Sequence, residues 1–207
     1  MGRPVKAKGR GNLPTHVKVD LEPAWWHRER PGKLLLEAAR IVDSGVWAEA
    51  AVKFHEERQA KRKTGEQAPK GAQRYVNAAL KARFLAAGWT WDDGRCHKGD
   101  CFVRITFRHQ MSLEADLYEA LRMHKDSGCE QVAVLAADKA FLQIITPNDA
   151  AALCSYQKFE AELDGSKALE GVPLFLGRLT PKSQPPDDVG DALRFLPRFR
   201  DKGVPVN

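Results

Sequence analysis

The sequence predicts an α/β domain with a central mixed sheet flanked by helices, a basic arm before it and a Pro-rich tail after it. Three observations carry that expectation. Helical periodicity runs through residues 33–60 and 73–87, and short strand-like runs then alternate with helical ones from Phe102 to Gly177, the order of an α/β core. Prolines punctuate both ends, Pro4, Pro14, Pro23 and Pro31 on one side and Pro181, Pro185, Pro186 and Pro197 on the other, and they interrupt any long element there. The length of 207 residues suits one well-cored domain with appendages. The expected divisions are an arm over 1–30, a core over 31–180 and a tail over 181–207.

Taken in order, the arm carries Arg3, Lys6, Lys8 and Arg10 around Gly2-Arg3-Pro4. It reads as a solvated tail or as an Arg-Gly-Pro segment of the kind that lies in a narrow minor groove. Trp25-Trp26 would anchor it to its own domain through a large apolar surface. From Lys33 the spacing of Leu34, Leu35, Ala38, Ile41 and Val42 predicts a helix, and a second runs from Trp47 to about Ala60. The cluster Arg58 to Gly65, with Lys61, Arg62 and Lys63, reads as a helix end entering a loop. Cations there complement the helix dipole, and the same loop suits phosphate contact.

Gln73 to Ala87 places Val76, Ala79, Leu80, Phe84 and Leu85 on one helical face, and Gly88-Trp89 ends it as a glycine cap does. After the turn Asp92-Asp93-Gly94, the run Phe102 to Phe107 alternates like a half-buried strand. Leu113 to about Lys125 is helical, Gln131 to Ala136 is a short apolar strand, and Ile144-Ile145 closes another. Asp149 is placed to cap a helix through Lys158 or beyond. Val172 to Gly177 has the composition of a buried strand.

Lys and Arg total 33 against 27 Asp and Glu, a formal charge of +6, and the excess is segmental. A polyanion is one partner such a balance suits; solubility alone is the other explanation. No apolar run approaches the roughly 20 residues of a membrane span, and the first residues lack the apolar stretch of a secretory signal. A cytoplasmic protein without membrane association is therefore expected. Cys96, Cys101, Cys129 and Cys154 read as reduced core thiols. Cys96 to Cys101 encloses His97, which invites a zinc reading, but no second ligand pair accompanies it, so no metal site is assigned.

Asn77-Ala78-Ala79-Leu80-Lys81 through Gly88-Trp89, the strand and helix after them, Gln131-Val132-Ala133-Val134 and Gly171-Val172-Pro173-Leu174-Phe175-Leu176-Gly177 resemble, in that order, the BglII/BstYI-like restriction endonucleases of the PD-(D/E)XK superfamily. Ser155 to Leu163 is similar to that family's Tyr-Tyr-Glu-Gly-Glu-Leu stretch. The resemblance spans roughly Lys33 to Thr180 and implies a restriction-endonuclease-like core. It also implies hydrolysis of DNA with Mg2+ held by an Asp and by a Glu further along the catalytic strand, where hard carboxylate oxygens bind the ion and activate water. Here the chain departs from the family. Aligning Val103-Arg104-Ile105 with the family's catalytic strand, which carries a Glu-Val-Gln-like run, sets Thr106 at the Glu position and Arg108 at the Gln position, while the upstream Asp position falls on His97 or, with a shift, Asp100.

Thr106 offers one neutral oxygen, and arginines beside it repel a cation while attracting phosphate. The expectation is a double-stranded DNA-binding protein that has lost nuclease activity and needs no cofactor. Arg104, Arg108 and His109 would meet phosphate in the old cleft, joined by Asn77, by Lys61, Arg62 and Lys63, and by Arg3, Lys6, Lys8 and Arg10. The resemblance also implies a homodimer. The alternative enzyme is a Mg2+-dependent endonuclease with a migrated site, using Asp100 with Glu114 or Asp116, or borrowing Glu37. Carboxylates at a helix start also suit its dipole without any metal. A third reading makes the chain a structural or adaptor subunit of a larger defence or nucleoprotein assembly.

Overall fold

The computed structural model of the chain describes residues 14, 16–24, 30–165 and 172–181. One mixed sheet contains β1 (Val17–Pro23), β2 (Arg95–Lys98), β3 (Cys101–Thr106), β4 (Gln131–Ala137) and β5 (Leu174–Pro181). Their spatial order is β1-β5-β4-β3-β2. β3, β4 and β5 run parallel, and the edge strands β1 and β2 are antiparallel to their neighbours. The helices are α1 (Lys33–Asp43), α2 (Val46–Lys63), α3 (Gln73–Ala86), α4 (Leu113–Ser127), α5 (Lys139–Ile145) and α6 (Tyr156–Gly165). This is the α/β class with a mixed sheet flanked by helices that the alternation of elements implied. Among the described residues no helix is long and apolar enough to cross a membrane.

The middle strands are mostly apolar because helices cover both faces of the sheet, and β3, expected to be half-buried, is buried at every position. Val103 and Ile105 of β3, Ala133 and Leu135 of β4 and Phe175 of β5 share one core with α1, α2, α3 and α5. Phe102, Val132, Val134, Leu174 and Leu176, one residue out of phase, pack instead with α4 and α6. On that second face the even-numbered positions of β3 continue as Arg104 and Thr106, both buried. Arg104 and Thr106 thus carry polar groups into the second core, and α4 is the helix that must answer them.

Four expectations change. Residues 17–23 belong to the sheet rather than to an arm: Val17, Val19 and Leu21 alternate with Lys18, Asp20 and Glu22, and Val17 pairs with Pro181 at the far end of β5. Pro23 is tolerated because it ends an edge strand. Arg95–Lys98, which lacks apolar alternation, is a strand because the hairpin register sets Arg95 opposite Arg104 and Lys98 opposite Cys101. Ile144-Ile145 closes a helix, not a strand: Asp138 Oδ1 accepts from the Phe141 amide at 2.7 Å, and Phe141, Leu142 and Ile145 then form its buried stripe. Asp149 makes no side-chain cap and precedes only a single 3-10 turn. The following helix starts at Tyr156, and Ser155 Oγ accepts from the Lys158 amide at 3.4 Å. Trp25-Trp26 lies outside the described residues.

Candidate functional site

β3 and the start of α4 build a buried charge cluster. Arg104 points to the second face of the sheet, where Asp116, in the first turn of α4, replaces what would be an apolar contact. Arg104 Nε donates to Asp116 Oδ1 at 2.9 Å, and both side chains are wholly buried. Arg104 Nη1 also donates to the Asp93 carbonyl at 2.6 Å. That carbonyl is within reach because the 92–94 turn lies directly against β3: Gly94 has φ +81°, and a Cβ there would stand 2.3 Å from the Ile105 carbonyl oxygen. Only glycine suits such an approach. Arg108 Nη1 reaches the same Asp116 oxygen at 3.2 Å, with its own side chain 38% exposed.

These contacts revise the expected cleft. Arg104 presents no surface to a phosphate, because its guanidinium is enclosed and committed to Asp116 and Asp93. Arg108 keeps an exposed edge but shares Asp116. His109 is exposed, and its ring Nδ1 accepts from the Met111 amide at 3.4 Å, an N-terminal cap for the short turn Gln110–Ser112. Thr106 is buried. Asn77 sits half-buried midway along α3. Arg3, Lys6, Lys8 and Arg10 lie outside the described residues.

The alternative metal set is likewise dispersed. Asp100 is exposed in the β2–β3 turn, whereas Asp116 meets β3 at Arg104, about 13 Å further along the strand at roughly 3.3 Å per residue. Glu114 is exposed on α4. Glu37 is held by Lys98 Nζ at 2.7 Å and by the Trp89 indole at 3.0 Å. The Lys98 hydrogen bond foremost, with Trp89, lowers its pKa against a smaller opposing effect of burial. Among the described residues no three His, Cys, Asp or Glu side chains converge on a metal-sized space. With Asp116 bound by two arginines and its companions elsewhere, these carboxylates do not fit a hydrated divalent cation. The thiols that invited zinc are buried, and burial pushes Cys101 up to about 12 and Cys96 higher still, which disfavours the thiolate a metal needs.

A second constellation lies at the α2–α3 connection. The helices are antiparallel, with Glu49 near Arg83 and Glu57 paired with Arg74. Residues 58–63 therefore continue about 9 Å past the start of α3 at 1.5 Å per residue. Glu57, Lys61, Gln67, Ala68, Pro69, Lys70 and Arg74 line a shallow groove of about 380 Å3 there, with Arg62 and Lys63 exposed beside it.

The groove is pre-arranged. The Tyr75 hydroxyl donates to Glu57 Oε2 at 2.8 Å, Arg74 Nη2 contacts both Glu57 and the Tyr75 hydroxyl, and its guanidinium lies 4.7 Å from the Tyr75 ring centroid. The Tyr75 hydrogen bond is the largest influence lowering the Glu57 pKa, and burial raises that of Tyr75, so the phenol keeps the proton it donates. Arg74 remains 62% exposed on its outer side. Lys61 reaches Glu66 at 3.3 Å; Lys70, Arg62 and Lys63 have no ion-pair partner among the described residues.

No family model, curated protein or solved structure matches the chain.

The functional reading therefore rests on the chain's own chemistry. Gln73 Nε2, next to Arg74, donates to the Phe107 carbonyl just beyond β3 at 3.2 Å, which ties the start of α3 to the end of that strand. Arg108 follows directly, but its side chain turns to Asp116 on the α4 side of the sheet, whereas α2 and α3 pack on the other side. Lys70 and Arg74 were not singled out in the sequence; Arg74 reads there as an ordinary first-turn residue, and only the antiparallel packing of α2 brings Lys61 to it.

Proposed function

We propose that the chain binds double-stranded DNA without hydrolysing it, on a restriction-endonuclease-like core whose catalytic Glu position holds the buried Thr106, beside a structural Arg104–Asp116 ion pair. One observation carries the reading: solvent-facing cations gather around a pre-arranged groove, while the carboxylates that hydrolysis would need are either exposed singly or bound by arginine or lysine. Lys61, Lys70, Arg74, Arg62 and Lys63 supply the phosphate contacts, and the exposed edge of Arg108, on the α4 side of the sheet, supplies a separate one. Arginine suits this use because a guanidinium tethered on one side still offers N–H donors on the other.

In favour of the core assignment, α3 with Asn77, the β2–β3 hairpin, α4, parallel β4 and β5 follow one another as the resembling segments do. Thr106 at the expected Glu position is buried and accepts from the Arg108 amide at 3.4 Å, a structural use of its one oxygen.

The test is fluorescence anisotropy of a labelled duplex across a salt series, run beside plasmid incubation with Mg2+ or Mn2+. Binding is expected with log K falling by about 0.9 per neutralised phosphate for each unit of log salt, and the plasmid should stay intact. Metal-dependent cleavage abolished by Asp100→Ala would overturn the non-hydrolytic reading. Absence of any duplex binding at low salt would remove DNA altogether.

A further inference from the structure

The basic groove and the end of the last strand share one edge of the sheet. β3, β4 and β5 run parallel, with Thr106 opposite Ala136 and Ala136 opposite Arg178, so the three finish together. Gln73 holds the start of α3 at that edge through the Phe107 carbonyl. Two strands over, at about 4.8 Å each, β5 ends at Pro181. α5 bridges the same gap. The Asp138 amide at its start donates to the Leu179 carbonyl at 3.4 Å, and the Ile145 carbonyl at its end accepts from the Ala72 amide at 2.8 Å. A helix of this length, Lys139–Ile145, rises about 10 Å. Lys70 and Arg74 flank Ala72, so they lie roughly 10 to 20 Å from the point where the chain leaves the sheet.

Beyond Pro181, and outside the described residues, the sequence continues Lys182-Ser183-Gln184-Pro185-Pro186-Asp187-Asp188-Val189-Gly190-Asp191. Asp187, Asp188 and Asp191 are three carboxylates with no cation among them. The connection from Pro181 to Asp187 spans up to about 20 Å, which covers the distance to the groove. The pair Pro185-Pro186 favours an extended approach with little backbone freedom to lose.

The groove supplies the opposite charge. Among its lining residues Lys61, Lys70 and Arg74 face one carboxylate, Glu57, which Arg74 and Tyr75 already engage. Arg62 and Lys63 stand exposed beside it, and with Lys70 they have no ion-pair partner among the described residues. A short tether keeps the acids at an effective concentration in the millimolar range. Individually weak surface pairs therefore suffice to populate a docked state, and a polymer of phosphates can still displace it.

We propose that the acidic segment Asp187–Asp191 docks on the basic groove of its own chain and shields Lys61, Lys70 and Arg74 until a polyanion displaces it. The docking stands on charge and reach alone; its effect on duplex affinity rests on the DNA reading above.

Zero-length carbodiimide cross-linking of the full chain at low salt, followed by peptide mass mapping, tests the contact. The existing pairs Lys61–Glu66 and Lys98–Glu37 serve as internal positives. Links from Lys61 or Lys70 to Asp187, Asp188 or Asp191 are expected in the monomer-mass band, and they should disappear at about 0.5 M salt, where surface charges are screened. Links from these aspartates only to Lys6 or Lys8, links found only in a dimer-mass band, or no links beside intact positives would each overturn the proposal.

Duplex anisotropy tests the consequence. Asp187→Asn, Asp188→Asn and Asp191→Asn together should tighten binding by about three- to tenfold. Glu160→Gln, Glu162→Gln and Asp164→Asn remove the same charge from exposed positions on α6 and should tighten it less. Equal gains in the two triple variants would overturn shielding, since net charge alone would then explain them. If the groove links form and no variant binds duplex, the docking is supported and the DNA reading is the one that fails.

Discussion

Arg104 and Arg74 are the same side chain put to opposite uses, and the difference lies in what surrounds their guanidinium groups. Arg104 is sealed between β3 and α4, its Nε bound to Asp116 and its Nη1 to the Asp93 carbonyl, while its Nη2 is buried with no hydrogen-bond partner among the described residues. Arg74 is tethered on one side by Glu57 and Tyr75 and open on the other. A buried cation without its partner keeps the full cost of its lost hydration, whereas a surface cation without a partner is simply hydrated. The first cluster should therefore govern whether the chain folds, and the second what it binds. Local density of basic residues, which both regions share, does not separate these roles; burial does.

The sharpest way to break that comparison is to remove the shared carboxylate. Asp116→Asn keeps the shape of the side chain and leaves Arg104 charged and enclosed, so it should destabilise the fold by about 3 to 5 kcal/mol, seen as a fall in the urea midpoint. Replacing the pair together, Arg104→Met with Asp116→Leu, should recover most of that loss, because no uncompensated charge remains. Equal damage from the single and double variants would mean that packing, not charge, sets the requirement. Arg108, being partly exposed, should contribute far less to the midpoint than Arg104.

The groove predicts the reverse profile. Lys61→Ala with Lys70→Ala should change the unfolding free energy by less than about 0.5 kcal/mol per site, as surface changes do. The same substitutions should flatten the salt dependence of duplex binding by about one unit per lost phosphate contact. A slope left unchanged while affinity for other ligands moves would place the polyanion elsewhere on the molecule.

How far these roles were legible in the sequence depends on which periodicity carried them. The α/β class and α1 to α4 follow from apolar spacing, which packing rewards directly. β2 does not, since Arg-Cys-His-Lys has no apolar alternation and is a strand only because β3 offers it a partner. The Asp116–Arg104 pair was half-legible: Asp116 falls in the buried stripe of Leu113, Leu117 and Ala120, and Arg104 shares its strand face with Phe102. Opposite charges at core-facing positions of successive elements signal an internal pair, but taken one at a time Arg104 reads as a phosphate contact and Asp116 as a metal ligand. Lys70 and Arg74 were illegible because the groove comes from two helices meeting across a long connection.

Between the two regimes lies His55, on α2 one turn before the basic end and beside the Phe54 ring at 5.3 Å between centroids. Burial, and secondarily the nearby Arg58 charge, lowers its pKa from the ordinary 6.5. The unfolded chain therefore takes up this proton at a higher pH than the folded one. Stability due to His55 is greatest above about 6.5 and declines as pH falls from there through the folded value, below which it changes no further. Glu37 and Glu57, both lowered from 4.5, lose their contributions only in more acid solution, so the windows separate. Urea midpoints measured between pH 7.5 and 5 should fall in the wild type, and His55→Gln should remove the part of the slope nearest 6.5. A slope unaltered by that substitution would show that His55 is hydrated like the groove cations and belongs with the solvated end of α2 rather than with its packed half.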